Sequence, residues 1–323
     1  RRSNLLNRLG RPAEATAAAE DAYFAALDAG ALGVAADAAT RLVFLTGYEL
    51  AQHAEGKRWW RHAIASIRAL EPRPSLRTAH AFVSLANIQY VTGEYAEARA
   101  NFERALAIEQ EELGPLHTRT AATLGNLAAI PFATGDYAAA RALYERALAV
   151  EEEVLGPEHP EYARTLNNLA TVAYITEDMT AARALFERAL AIRERALGPE
   201  HPDLAFSVTG LADVLEDTGD HAGARALFER ALAIREKALG PEHPDVAVNL
   251  LSLGNLRFAE GDLEAARRLY ERALAVSERA FGSDHPDVAS ARTALALVYE
   301  AMGADAAARR LLEGALADLD RAL

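Results

Sequence analysis

The chain has 323 residues, 51% of them apolar and 25% charged, and its 34 basic against 47 acidic residues leave a net charge of −13. Nucleic acid and anionic membrane surfaces select cationic faces, so this surplus of carboxylates argues against both as partners. Cysteine is absent, which excludes disulfides, thiolate metal sites and cysteine nucleophiles; no run of about 18 apolar residues is present to span a bilayer, and no hydrophobic leader follows Arg1-Arg2-Ser3-Asn4.

In chain order, the first recognisable feature is Gly10-Arg11-Pro12-Ala13-Glu14-Ala15, which reads as a turn followed by a helix start. Residues 12–29 are half of a two-helix unit whose first helix is either the short Ser3–Leu9 piece or lies before residue 1, so the sequence reads as part of a longer protein. Residues 33–70 form a degenerate unit, with Trp60-Arg61-His62-Ala63-Ile64 in the place of a string that recurs later. An exposed Trp59-Trp60 region is expected here. Residues 1–75 are therefore read as degenerate N-terminal helices.

From residue 76 the pattern becomes strict. LGPEHP begins at Leu155, Leu197 and Leu239, with variants at Leu113 and Phe281, always 42 residues apart. A turn string with the same step begins at Thr92, Thr134, Thr176, Thr218 and Glu260. An aromatic-Glu-Arg-Ala-Leu string begins at Phe102, Tyr144, Phe186, Phe228 and Tyr270. Self-similarity at a fixed period is the signature of a repeat architecture.

Each period predicts two helices. In residues 160–198, Pro160 suits a helix start, and Leu166, Leu169, Ala170 and Ala173 recur at helical spacing. Thr176-Glu177-Asp178 breaks the pattern. Ala182, Leu185, Phe186, Ala189 and Leu190 form a second stripe, ended by Gly198-Pro199. Elsewhere the turn holds Gly93, Gly135, Gly219 or Gly261, so Glu177 is expected to cost about 1 kcal/mol there. Residues 76–321 hold six such units. In the last of them Arg309, Arg310, Asp318, Asp320 and Arg321 suit the outer face of a capping repeat.

The small residue of the first helix, the Gly-Asp-Tyr turn and the Ala, aromatic and Ala of the second helix resemble the tetratricopeptide repeat family. The 42-residue step and the Leu-Gly-Pro-Glu-His-Pro linker resemble its kinesin-light-chain type. The resemblance implies an all-α, right-handed α-solenoid of stacked antiparallel helix hairpins. Arrays of this kind resemble those attached to bacterial serine/threonine kinases or signalling NTPases. A bacterial, cytoplasmic protein is expected.

In that family the first helices line the concave face. Carried over, the peptide-groove positions are Asn87 and Tyr90; Asn126 and Phe132; Arg164, Asn167, Asn168, Thr171 and Tyr174. Asp213 and Glu216, then Asn255 and Phe258, complete the set; Phe206, Thr209, Asp217 and Val248 lie on the same face. Asparagine offers donor and acceptor to an extended backbone, and aromatics give contact area at little rotamer cost. Asn167-Asn168-Leu169-Ala170 matches the asparagine ladder of kinesin light chains fully, and Gly125-Asn126-Leu127-Ala128 in part. Thr209-Gly210 and Leu251-Ser252 depart from it.

Chemistry finds little support. No phosphate-binding glycine loop, nucleophile elbow or zinc-helix motif is present. His117, His159, His201, His243 and His285 sit one repeat apart, too far for a shared metal, and read as neighbours of helix N-caps. The expected function is a non-catalytic scaffold, without cofactor or metal, that binds an extended basic or polar-apolar segment of a partner protein. The alternative is regulatory self-association as a homodimer, or docking onto an attached kinase or NTPase domain.

Overall fold

The computed structural model describes residues 2–283 and 285–322, and the side chains of all of these except residue 8 and 317–322. Asp318, Asp320 and Arg321, expected on the capping face, thus lie outside the described side chains. Arg309 and Arg310 are exposed. Sixteen α-helices and no strand occur among the described residues. The chain divides into two compact units, one up to Pro157 and one from Glu158.

The first unit holds α1 (Arg2–Arg8), α2 (Pro12–Asp28), α3 (Leu32–Phe44), α4 (His53–Leu70), α5 (Leu76–Val91), α6 (Tyr95–Leu113), α7 (Thr118–Ala133) and α8 (Tyr137–Leu155). A π-helical turn, Leu45–Glu49, extends α3. Here the expectation of an exposed tryptophan pair is corrected. Trp59 is buried, with Tyr23 edge-on at 5.2 Å and Phe24 at 6.4 Å. Trp60 is half-buried beside the Phe82 ring, 6.3 Å away. The inward aromatic of the degenerate repeat is thus Trp59, one residue before the position that the period of 42 assigns to it. α7 continues past Pro131 to Ala133.

The second unit holds α9 (Pro160–Ile175), α10 (Met179–Leu197), α11 (Leu204–Asp217), α12 (His221–Leu239), α13 (Pro244–Ala259), α14 (Leu263–Phe281), α15 (Pro286–Ala301) and α16 (Asp305–Ala322). Within this unit odd and even helices pair as hairpins, and each hairpin packs on the next.

The Thr-Gly-Asp string builds the hairpin turn atom by atom. The Thr218 hydroxyl donates to the Val214 carbonyl at 2.7 Å. Gly219 takes φ +88°, which lets the Asp220 amide donate back to Leu215 at 2.8 Å. This is the helix-ending arrangement that needs a left-handed residue. The Asp220 carboxylate then accepts from the Gly223 amide at 3.0 Å and caps the next helix. Glu177 adopts φ +60° in the equivalent place, so the turn keeps its shape without glycine.

Four of the linker histidines, His117, His159, His243 and His285, are N-caps themselves rather than neighbours of caps, whereas before α11 the N-cap is Asp203 and His201 stands two residues ahead of it. Nδ1 of His117, His159, His201, His243 and His285 accepts the amide two residues on at 3.1–3.2 Å. That contact requires Nδ1 to be without its proton.

Between helices the small residues sit at the closest approaches. Ala98, Ala140, Ala182, Ala224 and Ala266 are fully buried. At Gly254 a Cβ would stand 2.4 Å from the Tyr270 ring. Phe102, Tyr144, Phe186, Phe228 and Tyr270 are all buried.

Candidate protein-binding face

The predicted groove residues stand on the first helix of each hairpin, and each unit arranges its own. In the first unit Asn87 and Tyr90 on α5, and Asn126 and Phe132 on α7, are half-buried. The two aromatics lean on the hairpin turn: Tyr90 lies 5.8 Å from Tyr95, and Phe132 lies 5.8 Å from Tyr137. Burial pushes the Tyr90 phenol above its ordinary range, with smaller contributions from Tyr95 and Tyr48.

In the second unit the set separates into structural and accessible members. Asn167 is a correction. It is buried between α9 and α11, where its amide donates to Ser207 Oγ at 2.7 Å. The same seam recurs one hairpin on, where buried Asn249 donates to Thr209 Oγ1 at 3.2 Å. The ladder position thus pairs neighbouring first helices here and does not face a ligand. Its neighbour Asn168 stays half-exposed. Arg164 is held by Glu161 at 2.9 Å. Asn255 is exposed and accepts the Tyr270 hydroxyl at 2.6 Å. Phe258 packs on the apolar cluster of α14 and α15.

Three of the predicted residues, Thr171, Tyr174 and Asp213, come together in one recess of about 350 Å³. Its other walls are Ile175 of α9, Phe206 and Thr209 of α11 and Val248 of α13. Phe206 is 48% exposed and Val248 is 51% exposed. Four lining residues fall outside the predicted set: Ile175, Phe186, Gly210 and Arg235. Gly210 is the telling one. The equivalent positions hold Ser84, Asn126, Asn168, Ser252 and Ala294, so it alone lacks a Cβ. A Cβ there would meet the Phe186 ring at 2.4 Å. That break in the column is visible in the sequence; the ring beneath it is not.

Asp213, Glu216 and Asp217 share one face of α11, since residues three and four apart on a helix are neighbours. Tyr174 donates its hydroxyl to Asp217 at 2.6 Å. Burial, then the carboxylates of Glu216 and Asp217, push the Asp213 carboxyl up to about 7. Glu216 is also raised, by burial and by Asp217, against a smaller lowering by His221. Burial and Asp217 raise the Tyr174 phenol. Arg235, the basic member of the lining, is turned to Asn249 Oδ1, and burial lowers its guanidinium. On the first helices of this unit, Arg257 faces Glu229, Glu260 and Asp262, and Arg292 pairs with Glu278.

Among the described residues no group of three or more His, Cys, Asp or Glu could hold a metal ion, and no helix is long and apolar enough to cross a membrane. The tetratricopeptide repeat model matches residues 77–150, 120–194, 165–237, 204–274 and 245–320. The chain belongs to the tetratricopeptide repeat family. No curated protein matches it. Among solved structures, a Podosopora anserina kinesin light chain with nearly identical TPR-like repeats is 28% identical, with a TM-score of 0.55, over 64% of this chain and 98% of that one. BtubC from P. vanneervenii is 23% identical with a TM-score of 0.61, over 71% and 90%. Aspartyl phosphate phosphatase F from Bacillus subtilis is 17% identical with a TM-score of 0.62, over 88% and 71%. The last two show the fold alone. The tetratricopeptide hairpins and the kinesin-light-chain likeness agree with the 42-residue step of the sequence.

Proposed function

We propose that this tetratricopeptide repeat protein is a non-catalytic scaffold that binds an extended, basic or polar-apolar segment of a partner protein on the face of its first helices. Residues 76–321 supply the binding array and residues 1–75 precede it as degenerate helices. The observation that carries the reading is the recess of the second unit, with Phe206 and Val248 open to solvent beside the carboxyls of α11. Exposed apolar side chains rimmed by charge mark interaction surfaces. A face held by stacked helices is ordered before the partner arrives, which lowers the conformational cost of binding. The negative charge of the chain favours encounter with cationic segments.

The test compares partner capture from a cell extract by the wild type, Asn168→Ala and Tyr174→Ala, with circular dichroism as the control on folding. Both variants are expected to lose captured partner. Capture unchanged in both would place binding elsewhere.

A further inference from the structure

We propose that the recess between α9, α11 and α13 sets the specificity of this face. It takes one bulky apolar side chain of an extended partner segment, and the α11 carboxyls take a lysine or arginine two residues away in that segment. This names the chemistry of the partner and rests on the reading above.

Three observations converge. The floor exists because Gly210 has no side chain: the Phe186 ring occupies the place where a Cβ would be 2.4 Å away. The five equivalent positions of the array all carry a Cβ, so the opening belongs to this one repeat. Its volume of about 350 Å³ lies at the small end of ligand pockets, which suits a side chain rather than a whole cofactor. The walls, Phe206 on α11 and Val248 on α13, leave about half of their surface in water. An apolar side chain seated between them removes that surface from solvent, and the gain is proportional to the area buried.

The charge beside the recess supplies the second half of the motif. Asp213 lines the wall, and Glu216 and Asp217 continue the same face one helical turn on. Among the described residues no lysine or arginine pairs with these three carboxyls. One helical turn rises about 5.4 Å. In an extended segment, side chains two apart point the same way and are separated by roughly 6.6 Å. A segment with its apolar side chain in the recess therefore holds its next side chain of the same face over the carboxyls. A cation there offsets their mutual repulsion, and an anion adds to it.

The test uses the full chain and fluorescein-labelled peptides of the form Gly-Ser-Leu-Ser-Arg-Ser-Gly, read by fluorescence anisotropy at low ionic strength. Two control peptides replace Leu by Ser or Arg by Glu. The Leu-Ser-Arg peptide is expected to bind at least about tenfold tighter than either control. Phe206→Ser and Val248→Ser, both at exposed positions, are expected to erase the preference for Leu. Asp213→Asn is expected to reduce the preference for Arg over Glu. Equal binding of the three peptides, no binding of any, or affinities unchanged in all three variants overturns the subsite. If binding survives these variants but is lost in Asn168→Ala, which lies outside the recess lining, the subsite is wrong while the face still binds. If partner capture and peptide binding are both indifferent to every variant, both readings fall.

Discussion

Asn167 and Asn168 are adjacent, chemically identical and differently employed. Asn167 is held between two helices by Ser207, itself fully buried. Asn168 lies one residue round the helix, half-exposed. Removing one partner from a buried hydrogen bond costs about 1–3 kcal/mol, whereas exposed substitutions usually change stability by less than about 0.5 kcal/mol. Asn167→Ala is therefore expected to lower the urea midpoint clearly and Asn168→Ala scarcely at all. Equal losses would contradict the assignment of the seam. The sequence assigns both to the groove; only the contact with Ser207 separates them.

Asp213 makes a second prediction at this scale. Its carboxyl ionises near 3.8 in a free chain and at about 7 in the fold, because burial and two neighbouring carboxylates oppose its charge. Below pH 4 both states keep the proton, and the group contributes no penalty. Between about 4 and 7 the folded chain retains a proton that the unfolded chain loses, so unfolding is favoured increasingly as pH rises. Asp213→Asn is expected to gain stability over the wild type across that window and to level off above it, measured as melting temperature against pH. A constant difference across the window would place the carboxyl in an ordinary environment.

At the scale of elements, the hairpin turn and the close helix approach are both built from small sets of residues whose spacing is legible. The Thr-Gly-Asp string implies a turn, and the structure gives each of the three a separate part in it, as a hydroxyl bond, a left-handed residue and a cap. The histidines depart from expectation in one respect. Their fixed place before the first helix suggests a helix start, but not that the ring nitrogen Nδ1 is the acceptor of the amide two residues on. Gly254 gives the prediction here. A methyl group at this position meets the Tyr270 ring at 2.4 Å, and overpacking a filled interface typically costs about 1–3 kcal/mol. Gly254→Ala is expected to destabilise the chain by that order in denaturant melts, although alanine favours helix more than glycine does. A stabilised variant would mean that the two helices separate at little cost.

At the scale of the whole molecule, a net charge of −13 accompanies a proposed binding face on which Asp213, Glu216 and Asp217 pair with no lysine or arginine among the described residues. Exposed charges are screened within about 10 Å at 0.1 M salt. The association rate of an arginine-containing peptide is expected to fall as ionic strength rises, while its dissociation rate changes less. Stopped-flow fluorescence separates the two. An association rate indifferent to salt would remove electrostatic steering from the account.

The 42-residue period, the two helices in each period, the position of every turn and the inward alanines and aromatics can all be read from the chain. They depend on local spacing and backbone preference, and the same solution is written five times over. What the fold alone decided lies where neighbouring hairpins meet: the inward turn of Trp59, the burial of Asn167, and the opening that Gly210 leaves above Phe186. Gly210 and Phe186 are 24 residues apart. Whether a side chain there is wall, floor or filler depends on distances between helices that no single helix specifies.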